Sequence, residues 1–186
     1  MYLRVLSECL TIIEIYIIYI IVNELIKNMI NLVVVAHPDD EVLGFGGTGA
    51  KLVKRGEVVQ PIILCGNVKA RYKRSKAKDL YEDMISANRY LGFNVPVLGK
   101  FPNLRINTID HIDVVNFIEK QILKFKPNRI FTHHPSDLNN DHVQISNACL
   151  AASRLFQRRP EVSALDAVYF MEILSSTDWS FPAVKN

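Results

Sequence analysis

Two short stretches concentrate the side chains able to do chemistry. His37-Pro38-Asp39-Asp40-Glu41 packs one imidazole and three carboxylates into five residues. Thr132-His133-His134-Pro135-Ser136-Asp137-Leu138-Asn139-Asn140-Asp141-His142 adds three histidines and two aspartates. Neutral imidazoles and carboxylates suit zinc, and two histidines plus one carboxylate with an open fourth position is a recurring catalytic arrangement. A cation held so lowers the pKa of bound water to about 7 and polarises a carbonyl, which serves hydrolysis of unactivated amides. A further carboxylate, beside the metal but not ligating it, is then needed to take the proton of water. The adjacent Asp39 and Asp40 offer one of each. The first stretch alone also reads as an ordinary turn, since Asp and Pro are common turn formers; the presence of the second weighs against that reading.

The surrounding pattern predicts how these stretches are placed. Leu32 to Ala36 is a continuous apolar run, as expected of a strand buried on both faces of a parallel sheet. A glycine-rich segment, Gly44-Phe45-Gly46-Gly47, leads into a helix through about Lys54, with Gly56 at its end. Gly44, Gly46 and Gly47 match no phosphate-binding spacing and predict tight strand-to-helix packing instead. Val58–Cys65, Val95–Leu98, Arg129–Thr132 and Ala167–Leu174 read as further strands. Helices are predicted over Asp79–Leu91, ended by Gly92, from Thr108 as N-cap to about Phe125, and over His142–Phe156. Strands alternating with helices imply βαβ units, hence a single α/β domain with a Rossmann-like three-layer αβα architecture and a mostly parallel sheet. Ligands of such sheets bind beyond the carboxyl ends of the strands, which is where both chemical stretches fall.

The run Ala36-His37-Pro38-Asp39-Asp40-Glu41, followed by glycine-rich turns and a later Asp-x-Asn-x-Asp-His from Asp137 to His142, resembles the PIG-L/LmbE-like family of zinc-dependent N-deacetylases. The resemblance spans about Ile30 to Trp179. It implies a Rossmann-like fold, a Zn2+ cofactor or a close divalent substitute, and hydrolysis of an N-acetyl group from an amino sugar or its conjugate, including a nucleotide sugar. By the same resemblance His37, Asp40 and His142 match the metal ligands and Asp39 the general base. Arg71 matches a substrate-contacting arginine, Asp141 a carboxylate that orients a neighbouring imidazole, and His133 is expected beside the substrate. Many relatives carry a histidine three residues before the last ligand, where this chain has Asn139. An amide can donate to an oxyanion but cannot give up a proton at neutral pH. Either His133 or His134 supplies that proton, or Asp39 carries it in both directions; the last is the preferred expectation.

Composition sets the outer bounds. The 186 residues fit one domain, and with 49% apolar residues they can bury a core. The net charge of +3 is too mild to imply nucleic-acid binding. It is also local: six basic residues lie between Lys69 and Lys78, where there is no acid. This run reads as a solvated loop, with an anionic partner such as a nucleotide-sugar diphosphate as the lesser reading. Cys9, Cys65 and Cys149 are odd in number and lack metal-binding spacing, which predicts a reducing, cytoplasmic setting and no disulfide framework. Cys65 and Cys149 read as buried small hydrophobes.

Residues 1–28 differ from the rest, with a nearly unbroken apolar run over 9–22, interrupted by Thr11 and Glu14, that extends to 26 only by including Asn23 and Glu24. They read first as an extension upstream of a natural start at Met29, the domain proper then being 29–186. Membrane anchoring through residues 9–26 is the second reading and a helix packed on the domain the third. A homo-oligomer is compatible with the sequence. Two other functions stay open: a metal-free nucleotide-binding protein of Rossmann type, and a non-catalytic sugar-binding module.

Overall fold

The computed structural model describes residues 13–22, 24, 29–66, 77–174 and 176–178. Five strands, β1 (Ile30–Val35), β2 (Val58–Ile63), β3 (Val97–Leu98), β4 (Arg129–His133) and β5 (Ala167–Met171), form one parallel sheet in the order β3-β2-β1-β4-β5. The helices are α1 (Asp40–Leu43), α2 (Gly46–Lys54), α3 (Ala77–Tyr90), α4 (His111–Phe125) and α5 (Asn140–Ala152). The expected three-layer α/β architecture is therefore present.

The sheet exists because both faces of β1 are apolar. Leu32, Val34 and Ala36 pack with Val114, Val115, Ile118 and Ile122 of α4 and with Ile145, Ala148 and Cys149 of α5. Val33 and Val35 pack on the other face with Phe45, Leu52 of α2, Met84 of α3, Phe93 and Phe131. Successive strand residues point to opposite faces, so one unbroken apolar run feeds two cores. Gly56 and Gly92 end α2 and α3 with φ of 87° and 75°, a region that glycine enters without a Cβ clash.

Several boundaries differ from the sequence expectation. The helix expected from Thr108 starts at His111 with Asp110 as N-cap, because Ile106–Thr108 forms a separate 3-10 turn in which Thr108 Oγ1 donates to Arg105 O at 2.8 Å. The helix expected through Phe156 stops at Ala152 and is followed by a 3-10 turn over Leu155–Gln157. The third and fifth strands are shorter than expected. The basic run Lys69–Lys78, Arg71 included, lies outside the described residues, apart from the backbone of its last two residues in α3.

Residues 13–22 are helical, and Ile13 and every residue from Ile15 to Val22 stay exposed. Ten helical residues span about 15 Å, half the hydrocarbon thickness of a bilayer, and among the described residues no helix is long and apolar enough to cross a membrane.

The glycines near the site are not equivalent. A Cβ on Gly44 would lie 2.7 Å from Ile173 Cδ1, whereas one on Gly47 meets nothing within 4 Å, so the expected close packing holds for Gly44 and fails for Gly47. On α2 the tight position is instead Gly49, whose Cβ would overlap the ring of Phe93 and approach Phe45 Cε1 at 2.8 Å. Replacing either α2 glycine by alanine gains up to ~1 kcal/mol of helix propensity, but overpacking costs ~1–3 kcal/mol. Gly47→Ala should therefore raise the urea unfolding midpoint and Gly49→Ala should lower it. Equal shifts in the two variants would refute the packing assignment.

Candidate metal centre

β1 is central, with β2 on one side and β4 on the other, so the chain leaves it in opposite directions and a crevice opens between the carboxyl ends of β1 and β4. His37 follows β1 after a single residue, Ala36. There the backbone doubles back, with Asp39 N–H donating to His37 O at 2.9 Å, and Asp40 Oδ2 accepts the His37 N–H at 2.9 Å. This local turn puts the Asp40 carboxylate against the imidazole three residues earlier.

The second stretch is ordered by a relay of short caps. Asp137 Oδ1 accepts the Asn139 N–H at 2.8 Å, and Asn139 Oδ1, as N-cap of α5, accepts the Asp141 N–H at 3.0 Å. Asp141 and His142 thus sit in the first turn of α5, and both are buried.

The two stretches meet at three atoms. His37 Nδ1 lies 3.3 Å from Asp40 Oδ2, His142 Nε2 lies 3.3 Å from the same oxygen, and the two nitrogens are 3.3 Å apart. Two ligands of a tetrahedral ion with bonds of ~2.0–2.1 Å are separated by about 3.3–3.4 Å, so the triangle has the dimensions of one face of such a site. These three residues form one of the groups among the described residues whose donor atoms converge closely enough to hold a metal ion.

The far nitrogens are braced. His37 Nε2 is 3.2 Å from Asp141 Oδ2, and His142 Nδ1 is 3.1 Å from Asp137 Oδ2. A carboxylate there draws the ring hydrogen to its side, leaving the lone pairs of His37 Nδ1 and His142 Nε2 facing Asp40. Asp141 is held by the N–H groups of Leu104 at 2.6 Å and Ile106 at 3.1 Å. Asp137, expected only as a turn residue, is held by hydroxyl donors from Thr177 at 2.8 Å and Ser176 at 2.9 Å. No local signal in the sequence links Ser176 or Thr177 to the site.

The electrostatics follow from this crowding. Burial would lower the pKa of His37 and His142, but hydrogen bonds donated to Asp141 and Asp40 lift His37 to about 9, and those donated to Asp137 and Asp40 lift His142 to about 8. Burial would raise Asp40, yet hydrogen bonds from His142 and His37 hold it well below the usual carboxylate range. Asp141 is likewise lowered, burial being outweighed by His37 and the two backbone donors. Glu41 is different: burial pushes it up to about 7, and it accepts one hydrogen bond from Asn88 Nδ2 at 2.7 Å.

The remaining expected residues divide. Asp39 is exposed beside the buried Asp40. Asn139 spends its amide oxygen on the α5 cap. His133, expected beside the substrate, lies against His142. It is completely buried, its Nε2 accepts the Ala36 N–H at 2.9 Å, and its ring stacks on His142 with centroids 3.8 Å apart. Burial lowers its pKa to about 3, so it is a neutral buttress under His142. His134 Nδ1 accepts the Ser136 N–H at 3.1 Å, and its ring meets Phe170 edge-on. Cys65 and Cys149 are buried and free, as expected, and Cys65 Sγ also lies 3.9 Å from Asp141 Oδ2.

A histidine whose folded pKa is raised stabilises the fold fully below about 6.5, and that contribution is lost as pH rises through the folded value. Without metal, the melting temperature should therefore fall between pH 6.5 and 9 as His37 and His142 lose their protons. A saturating divalent cation, which replaces those protons, should flatten or reverse the slope. A metal-free melting temperature that rises over this window in scanning calorimetry would contradict the site geometry.

Comparison with known proteins gives the family of the chain. The sequence profile of the family described as PIG-L, GlcNAc-PI de-N-acetylase, matches residues 32–153. An uncharacterized deacetylase of Escherichia coli K12, YaiS, is 26% identical over 129 residues, 66% of this chain and 67% of that protein. The N,N'-diacetylchitobiose deacetylase of Pyrococcus horikoshii superposes with a TM-score of 0.61 at 21% identity, over 72% of this chain and 52% of that one. The 4-carboxy-2-hydroxymuconate hydratase GalB of Pseudomonas putida KT2440 superposes with a TM-score of 0.60 at 19% identity, over 76% and 65%. The chain thus spans about two thirds of the E. coli relative and of the hydratase, and about half of the chitobiose deacetylase. At such identities the two superpositions establish the fold alone, while the profile match covers most of the described domain: the chain belongs to the PIG-L family.

Proposed function

We propose that the protein is a metal-dependent hydrolase that removes an N-acetyl group from an amino sugar or its conjugate. The observation that carries this reading is the triangle of His37 Nδ1, Asp40 Oδ2 and His142 Nε2 with 3.3 Å edges, beside the exposed Asp39. The family match and the deacetylases among the similar proteins support the reaction class.

His37, Asp40 and His142 would hold the cation, with zinc favoured by a donor set of two imidazoles and one carboxylate. When bound, it supplies Lewis acidity toward the acyl oxygen and makes water acidic near neutral pH. The protein's own residues do the rest. Asp39, solvent-accessible and one residue from a ligand, takes the proton from the attacking water and returns it to the departing amine. His133 cannot supply that proton, because its Nε2 is an acceptor for Ala36 and the ring is sealed from solvent. Asn139 has its oxygen tied to the Asp141 N–H, which fixes the amide so that Nδ2 is the end free to donate to the developing oxyanion. Arg71, by its position after β2, is proposed to contact the substrate.

The test combines metal counting with amine release from a panel of N-acetylated sugars and nucleotide sugars. Asp39→Asn should cut turnover ~10²–10⁴-fold while the metal content stays at one per chain. His37→Ala and His142→Ala should lose the metal itself. Loss of metal in Asp39→Asn, or full activity after chelation, would defeat the assignment of roles.

A further inference from the structure

The two carboxylates behind the ligand histidines are held by different means. Asp141 is fixed by two backbone N–H groups, those of Leu104 and Ile106, which only a proline substitution would remove. Asp137 Oδ2 is fixed by two hydroxyls, Thr177 Oγ1 at 2.8 Å and Ser176 Oγ at 2.9 Å, and the same oxygen faces His142 Nδ1 at 3.1 Å. Thr177 is 8% exposed, and its hydroxyl oxygen accepts the Ile173 N–H at 2.8 Å, so its rotamer is set from both sides. Ser176 Oγ lies 3.5 Å from His142 Nδ1 as well. Both residues follow β5 and lie beyond the stretch matched by the family profile, 32–153.

We propose that Ser176 and Thr177 are positioning residues for the cation site. Their hydroxyls hold Asp137 so that it keeps the hydrogen of His142 on Nδ1 and directs the Nε2 lone pair at Asp40 and His37. Neither residue touches the ion or the substrate; they act through Asp137. The consequence is that the segment after β5 sets metal affinity, although every ligand lies before it. This inference rests on the metal reading of the preceding section.

Thr177→Val keeps the shape and removes the hydroxyl, while Thr177→Ser keeps the hydroxyl. Removing a partner that orients a ligating histidine typically weakens metal binding ~10–100-fold. In the full chain, the dissociation constants for Zn2+ and Co2+ should rise by at least ~10-fold in Thr177→Val and stay at the wild-type value in Thr177→Ser. The Co2+ absorption spectrum should change in the first variant only. A purely structural role predicts the opposite pattern: Thr177→Val would lower the metal-free melting temperature and leave both constants within about twofold of wild type, which would overturn the proposal. Should Thr177→Val fail to fold, Ser176→Ala decides: a several-fold weaker constant supports the proposal, and an unchanged one overturns it. Failure of the metal reading itself shows separately, as a wild-type chain that takes up no cation or a His142→Ala variant that binds as well as wild type; either result removes this proposal too.

Discussion

The site depends on a charge cluster that is unfavourable unless a cation or a proton sits within it. Two imidazole nitrogens and a carboxylate oxygen meet at 3.3 Å, each aimed at the other two, with little water to screen them. Left to themselves the rings would turn away. They stay because a carboxylate behind each one accepts its other ring hydrogen, and because His133 is stacked flat beneath His142. The raised values of His37 and His142 and the lowered values of Asp40, Asp137 and Asp141 all express one fact: positive charge is wanted at this point.

The fold makes this arrangement affordable by placing it where two strand ends diverge. β1 carries apolar residues on both faces, so helices cover it from both sides and its carboxyl end is the natural floor of a crevice. The ligands come from the first turns after β1 and β4, and rigid elements anchor both. The segment from Leu104 to Ile106 and the segment after β5 close over the back of the site, one with backbone donors and the other with hydroxyls.

Part of the site follows from short-range geometry. The pairing of His37 with Asp40 needs only a tight turn, and the Asp-x-Asn-x-Asp-His spacing is a relay of caps in which each short side chain accepts an N–H two residues on. Expectation and structure part where a side chain's direction is set by its neighbours in space. His133 sits in the expected place, but it points inward to the Ala36 N–H. Thr108 has the residue type of an N-cap yet is taken up by a 3-10 turn, leaving the cap to Asp110. Asp137 was legible as a turn residue and illegible as a brace, because its partners Ser176 and Thr177 are far along the chain.

By itself the sequence determined the alternation of strands and helices, the two-faced burial of β1, and the two short stretches in which the donors lie, since each follows from residue type and short-range spacing. Only the tertiary structure decided which nitrogen of each histidine faces inward, which carboxylate braces which ring, and that His133 is sealed beneath the site. Those outcomes depend on atoms separated by tens of residues coming within 3–4 Å, and a hydrogen bond's direction is set by where its partner lies in space rather than along the chain.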